Sequence, residues 1–507
     1  MPNTIYGLKI FSSEQIKKLD AFTIEKEGIS SVELMERASA AFVKEFIQFY
    51  SKDFAVTILC GLGNNGGDGM AIARMLMNKA YNVNVFVISL DNSTASKEFT
   101  AEFLKLEDMI DIRQITQRRD IPVFDPEAII IDAMLGSGIN RNVTGLLSEV
   151  ITSINNSKCE IVAVDIASGL FSSKPNLEQA IIQPTFTFSF QVPKLAFFLP
   201  QNHFYTGELR LLNIGLSQEF MDKEPTPYVL IEKKCIVKLI KKRSKFSHKG
   251  NYGHVLLFAG SHGKMGAALL ASKGAFRTGC GLITVLTEEK ETPIVQTGIW
   301  EAMCLSYQTT DSTPTLPENK NFTIGIGPGI GLGEQALRFI EYFLKYSNKP
   351  LVIDADGLNL ISLNNYLIKL IPAKSILTPH PKEFERLAGQ WSNDYERLEK
   401  QRGFSITHNI YIILKGAHTS VSTPEGFVFI NSTGNPGLAT AGSGDVLTGI
   451  ITSLLAQNYS PEQACILGVY IHGLAGDIAE TEIGQQSLMA SDIINYLTEA
   501  FKELMVN

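Results

Sequence analysis

Short apolar runs alternate with helix-like segments along most of this chain, and that alternation limits the fold more than any other feature. In the first half the runs Ala55–Leu59, Val83–Leu90, Ala128–Asp132, Ile161–Asp165 and Thr185–Phe190 read as strands, with helix-like stretches between several of them. Near-continuous apolar strands suit burial on both faces, and parallel neighbours need crossover helices. A mostly parallel sheet covered by helices on both sides is therefore expected. Ser12–Tyr50 reads as largely helical, opening on the capping-box spacing Ser12-Ser-Glu-Gln15.

A second α/β series follows. His254–Ala259, Leu282–Leu286, Phe322–Ile326, Leu351–Ile353, Ser375–Leu377 and Ile410–Leu414 read as strands, and Val421–Thr423 with Phe427–Ile430 as a hairpin around Pro424-Glu-Gly426. Between the two series lies the polar stretch Met221–Pro227, which carries two prolines. A chain of 507 residues exceeds one ordinary domain. Two domains, 1–221 and 228–507, are expected on either side of that linker.

The net charge of −7 gives no general attraction to nucleic acid. The basic run Lys238–Lys249 reads as a solvated face. Six cysteines stand singly, without metal-ligand spacing, which fits a reduced cytoplasmic protein. No signal segment and no apolar run of membrane-spanning length is visible.

The first strand leads into "CGLGNNGGDG", Cys60–Gly69. Gly61, Gly63 and Gly66 have the spacing of a dinucleotide-binding turn, yet Asp68 stands where a phosphate is expected. Taken alone, Asp68 reads as a helix cap. Two further strands end in Asp132, followed by "AMLGSG", and in Asp165, followed by "IASG" with Ser168. Ligands of open α/β sheets bind beyond such strand ends. Carboxylates beside a phosphate repel it unless a cation intervenes, and an oxygen-rich cluster suits a hard cation.

With "GNNGGDG", "DAMLGSG" and "VDIASG" in that order, the region from about Ile10 to Leu216 resembles the NAD(P)H-hydrate epimerase domain. The resemblance implies a Rossmann-like fold that binds hydrated nicotinamide nucleotide and K+. It puts K+ on Asn65, Asp132 and Ser168. It puts the nucleotide on Asn64, Asn65, Gly66, Gly67 and Asp68, on Gly136, Ser137, Gly138, Ile139, Asn140, Arg141 and Asn142, and on Asp165. Asp165 is the candidate for proton transfer. Leu62 and Ala167 replace prolines usual in that family. Proline would stiffen these loops without adding chemistry, so their geometry is expected to survive.

In the second half, Phe258–Gly266 is glycine-rich but is not a Walker A loop. "NPGLATAGSGD", Asn435–Asp445, precedes the apolar Val446–Leu455. Gly442–Gly444 would then open a helix whose N–H groups face a transferring phosphoryl group, with Asp445 placed to take a hydroxyl proton. Together with "HKGNYGHVLLFAGSHGKMGAALL", "GIGPG", "VIDADGLNL", "LTPHPKEFERL", "LKGAHT" and "TGNPGLATAGSGDVLTG", the region from about Tyr228 resembles the ribokinase-like NAD(P)H-hydrate dehydratases. That resemblance implies phosphorylation of the hydrate hydroxyl by ADP with Mg2+, then loss of phosphate. ATP is the alternative nucleotide. Lys415, Gly416, Ala417, His418, Thr419 and Gly444 are expected on the nucleotide. Ala267, Gly327, His380 and Asp445 are expected on the hydrate, with Asp445 as base.

The reading is a bifunctional repair enzyme for NADHX and NADPHX, a homo-oligomer without nucleic-acid or membrane partners. Its alternative is a ribokinase-like small-molecule kinase fused to a non-catalytic Rossmann-like module.

Overall fold

A computed structural model describes residues 6–89, 94–176, 178–308, 310–311, 313–317 and 321–505. Leu90, the end of one expected strand, lies outside them. The chain divides into two compact units. The N-terminal unit is Lys9–Thr226 with Asn393–Tyr395. The C-terminal unit is Pro227–Ser392, Glu396 onward, and the described residues before Lys9.

The N-terminal unit holds a seven-stranded sheet in which every neighbouring pair is parallel. Its spatial order is Ile112–Ile115, Asn82–Ile88, Ala55–Cys60, Ile129–Ala133, Glu160–Val164, Phe186–Phe190, Glu208–Leu212. Counted along the chain this is 3-2-1-4-5-6-7, the Rossmann-like doubly wound order. The order reverses between Ala55–Cys60 and Ile129–Ala133. Phe42 and Phe46 from helix Ser31–Phe49 pack with Ile58, Ile131, Val162 and Phe188 of the sheet. Each such buried side chain stabilises the fold by roughly 1.5–3 kcal/mol.

The C-terminal unit is built on an eleven-stranded sheet. Met303–Tyr307, Leu282–Glu288, His254–Phe258, Phe322–Ile326, Val352–Ile353, Ile376–Leu377 and Tyr411–Leu414 are parallel in that order. The hairpin Ser420–Ser422 with Val428–Ile430 follows antiparallel, and Tyr228–Ile231 and Gly7–Lys9 complete the edge. Helix Ser443–Ala456 is apolar nearly all round, with Val446, Ile450 and Ile451 fully buried, as expected of a helix enclosed by its own unit.

The stretch Met221–Pro227 packs instead of hanging free. Helix Gln218–Lys223 buries Met221, and the carbonyls of Asp222 and Glu224 accept from Lys9 Nζ at 2.8 and 2.7 Å. The division falls between Thr226 and Pro227. Gly7–Lys9 is too short to show a period in the sequence, and it heads the C-terminal sheet although it precedes the N-terminal unit.

Candidate active sites

In the N-terminal unit the strand reversal opens a crevice at the carboxyl ends of the strands. The loop after Cys60 runs into helix Asn64–Met77, capped by the backbone of Gly63. Gly66 is required by close approach: a Cβ there would lie 1.7 Å from the Gly61 carbonyl oxygen. The loops close without the missing prolines. Leu62 O accepts from Ser96 N–H at 2.8 Å, and Ala167 O from Leu170 N–H at 3.0 Å. Asp68 lies in the second turn of the helix, so the cap reading fails. Its carboxylate faces Ser39, whose Oγ donates at 3.4 Å. Burial, then the charge of Asp165, pushes Asp68 well above the usual carboxylate range.

A cavity of about 650 Å³ fills this crevice. Asn64, Asn65, Asp68, Gly136, Ser137, Gly138, Ile139, Arg141 and Asp165 line it. Gly66 and Gly67 are buried in the helix start. Asn140 and Asn142 are exposed and do not line the cavity. The Asn140 carbonyl accepts from Lys174 Nζ at 2.9 Å.

Asp132 is fully buried. Its Oδ1 accepts from Ser168 Oγ at 2.5 Å and Met134 N–H at 3.2 Å, and its Oδ2 from Ser168 N–H at 2.7 Å. Asn65 Nδ2 donates to Leu135 O at 3.1 Å, and Ser168 Oγ accepts from Leu135 N–H at 2.8 Å. The Leu135 backbone thus ties Asn65 to Ser168. Burial pushes Asp132 up to about 6 despite its donors. A carboxylate, a hydroxyl, an amide and a backbone carbonyl form an oxygen set that fits a hard cation.

Asp165 follows strand Glu160–Val164 with φ +65, a conformation non-glycine residues rarely hold outside constrained sites. It pairs with Lys194, whose side chain is 1% exposed, and accepts from Phe190 N–H at 3.1 Å. Lys194 Nζ also donates to Ser189 Oγ at 2.8 Å. Asp20, on helix Ser13–Glu27, lines the same cavity. Lys194 and Asp20 were not singled out from the sequence. A lone lysine inside "QVPKLAFF" was a usable signal for the first. Only the fold brings the second to the site.

In the C-terminal unit the expected residues again lie beyond strand ends. Helix Ser443–Ala456 starts at Gly442. The N–H groups of Gly444 and Asp445 precede its first intrahelical bond, from Val446 N–H to Gly442 O at 3.1 Å. Lys415 Nζ pairs with Asp354 Oδ1 at 2.8 Å, and Thr448 Oγ1 donates to Asp354 Oδ2 at 2.7 Å. A Cβ on Gly444 would lie 3.2 Å from Lys415 Nζ and 3.8 Å from Asp354 Oδ2, so this triad sits directly under the helix start. Burial and then Asp354 push Asp445 up to about 6, against the pull of Lys415. Burial lowers Lys415, but Asp354 and Glu383 outweigh it and the net shift is upward. His472, pushed down to about 4 by burial, lies 3.0 Å from the Ser443 carbonyl.

Gly327 holds φ +123, and a Cβ there would meet the Asp354 carbonyl oxygen at 1.9 Å. Ala267 lies on helix Met265–Thr278 beside the neighbouring Gly329 turn. His380 caps helix Pro381–Ala388: its Nδ1 accepts from Lys382 and Glu383 N–H at 3.1 and 3.3 Å. Its side chain stays 46% exposed, and its Nε2 lies 3.5 Å from Oε1 of the buried Glu383. Gly416, Ala417 and His418 are exposed, and Gly416 and Thr419 close a turn through Thr419 Oγ1. Asp354 and Thr448 were missed as site residues, although both lie within the quoted motifs.

Two α/β units, each with a glycine-led helix start and carboxylates at the strand ends, define a two-site nucleotide-handling enzyme. Residues 31–196 match the family model of the YjeF-related protein N-terminus, and residues 255–499 match that of NAD(P)H-hydrate dehydratase. The bifunctional NAD(P)H-hydrate repair enzyme of Thermofilum pendens is 31% identical, covering 98% of this chain and 97% of its own. That of Moorella thermoacetica is 33% identical with the same coverage. The ADP/ATP-dependent NAD(P)H-hydrate dehydratase of Bacillus subtilis, co-crystallised with ATP/Mg2+, is 30% identical. It covers 54% of this chain and 97% of its own, with a TM-score of 0.46. The chain belongs to the bifunctional NAD(P)H-hydrate repair enzymes, with a Rossmann-like epimerase unit and a ribokinase-like dehydratase unit. The full-length matches do not favour the kinase alternative. Among the described residues, no helix is long and apolar enough to cross a membrane.

Proposed function

We propose that the N-terminal unit interconverts the R and S epimers of hydrated NADH and NADPH, and that the C-terminal unit dehydrates the S epimer with ADP. The observation that carries this reading is the helix start at Gly444 and Asp445: Gly444 lies against the Lys415–Asp354 pair, and both of those charges act on Asp445. ADP phosphates lie against Lys415 and the turn Gly416–Thr419. The N–H groups of Gly444 and Asp445 hold the terminal phosphoryl. Asp445 takes the hydrate's hydroxyl proton as that oxygen bonds to phosphorus, and AMP leaves with the bonding electrons. Loss of the phosphate ester with a ring proton then restores the nicotinamide double bond. Ala267, Gly327 and His380 frame the hydrate. Mg2+ would supply charge neutralisation on the nucleotide phosphates and needs only one or two protein carboxylates, for which Asp354 beneath the helix start is the candidate.

In the N-terminal unit the nucleotide occupies the cavity of about 650 Å³, with the reacting ring towards Asp165. The residues that would hold K+ are Asn65, Asp132 and Ser168, where the cation offsets the carboxylates that face the phosphates. The six cysteines are unpaired, which suits a reducing compartment such as the cytoplasm.

The test is incubation of the purified chain with each NADPH-hydrate epimer, with and without ADP. Epimer exchange without ADP is expected, with recovery of reduced-nicotinamide absorbance and release of AMP and phosphate only when ADP is present. A stable phosphorylated product would overturn the dehydratase chemistry.

A further inference from the structure

The two epimers of a nicotinamide hydrate differ at the carbon that carries the hydroxyl and adjoins the ring nitrogen. Inverting that carbon requires a bond at it to break. The least demanding cleavage is of the carbon–nitrogen bond. The hydroxyl gives up its proton, a carbonyl forms, and the bonding electrons pass to nitrogen, which takes up a proton. Rotation about the carbon–carbon bond presents the other carbonyl face, and the same steps in reverse close the ring. No electrons are gained or lost. Two protons move at two different atoms, so one carboxylate is not enough.

The cavity contains a second group for the task. Helix Ser13–Glu27 turns Lys17, Asp20 and Ile24 towards it, three residues at helical spacing on one face. Asp20 and Asp165 line the same cavity. Their environments differ: the buried ammonium of Lys194 bonds Asp165 and Ser189, whereas Asp20 has no hydrogen-bond partner among the described residues.

We propose that Asp20 is the acid of the epimerase, delivering a proton to the ring nitrogen while Asp165 removes the hydroxyl proton. The proposal rests on the epimerase reading above and deepens it. Paired carboxyls whose surroundings pull them apart are the usual way one site runs acid and base chemistry together. Burial, then the charge of Asp165, opposed by Lys194, pushes Asp20 up to about 7. Asp68 is the third carboxyl in the cluster and shares its interactions with both. Lys17 on the same helix, and Glu98 and Arg141 on other elements, complete the charged groups around the cavity.

The experiment measures epimer exchange for the full chain and for Asp20→Asn and Asp20→Glu, across pH, at saturating potassium, with the uncatalysed rate subtracted. For the parent chain, kcat should fall as pH rises through about 7, because the acid is lost. Asp20→Asn should lose about 10²–10⁴-fold in kcat with little change in KM, and its residual rate should no longer fall above that pH. Asp20→Glu should regain part of the rate with the limb displaced. If Asp20→Asn does not fold, the Glu variant alone decides. Parent-like rate and pH profile in either variant overturn the proposal. A parent chain that does not exchange epimers overturns the underlying reading instead.

Discussion

The two glycine-rich helix starts of this chain share a grammar and differ in their counter-charge. In each, a strand end leads through glycines into a helix, and an aspartate follows within the first turns: Asp68 in one, Asp445 in the other. Under the start of that helix stands Lys415, paired with Asp354, which also accepts from Thr448. Around Asp68 stand two more carboxyls, Asp20 and Asp165, and one ammonium, Lys194, already committed to Asp165. The C-terminal site therefore carries its own cation where a phosphoryl group must sit. The N-terminal site is richer in acid than in base. Its remaining cations, Lys17 and Arg141, line the cavity from other positions, and the proposed K+ would add to them beside the carboxylates.

The comparison is broken most severely at Lys415. Lys415→Met leaves the Asp354 carboxylate, 1% exposed, with the Thr448 hydroxyl but without its counter-charge. Breaking a buried pair in this way costs about 3–5 kcal/mol. ADP-dependent dehydration should vanish and the C-terminal unit should unfold at lower temperature, while epimer exchange persists. Parent-like thermal unfolding would show that Lys415 does not hold that site together.

Asp445→Asn is the next largest change. It keeps the helix start and the N–H groups but removes the base. Dehydration should drop by about 10²–10⁴-fold, with ADP affinity nearly unchanged in a direct binding titration. A near-normal rate would reduce Asp445 to a helix-terminal carboxylate. In the other unit, Asp132→Ala strands the N–H groups of Ser168 and Met134, at about 1–3 kcal/mol for each buried donor left unsatisfied. It should weaken epimerisation and remove its response to potassium, and dehydration should be untouched. Equal response of mutant and parent, when potassium is exchanged for a bulky organic cation, would remove the cation from the account.

The sequence was most legible where chemistry and backbone coincide. Glycines just beyond strand ends and in the helix start that follows report close approach, as at Gly327 and Gly66, and they mark both sites. The alternation of apolar runs suffices for two mostly parallel sheets. The rest depends on contacts between distant segments. Asp20 sits on a helix whose spacing looks like any amphipathic surface, and nothing near it in sequence announces Asp165. Asp68 fits a helix cap by sequence alone, but the helix starts five residues earlier, at Gly63. Gly7–Lys9 joins a sheet whose other strands begin more than two hundred residues later, a pairing too short to leave a pattern. The division between the units falls inside the expected linker, at Thr226 and Pro227, while the partners of Met221 and of the Asp222 and Glu224 carbonyls leave no mark in the sequence.

The smallest effect separates the two sites within one preparation. With Asp445 as the proposed base, dehydration needs that group ionised, and burial with Asp354 has raised it to about 6. Its rate should therefore fall as pH drops through about 6, by about tenfold per pH unit once the protonated form dominates. Epimerisation needs Asp20 protonated, and that group has been raised to about 7. Its rate should fall in the opposite direction, as pH rises through about 7. The two limbs leave a narrow window in which both activities run near their maxima. The ratio of epimerisation to dehydration should climb steadily from alkaline to acid conditions. One enzyme sample, assayed for epimer exchange without ADP and for recovered nicotinamide absorbance with it, gives that ratio free of errors in concentration. Asp445→Asn should flatten the acid limb of dehydration alone, and Asp20→Asn the alkaline limb of epimerisation alone. Parallel pH profiles for the two activities would mean that a common property of substrate or chain sets both. The contrast between an acid-rich site and a lysine-anchored one would then have no bearing on rate.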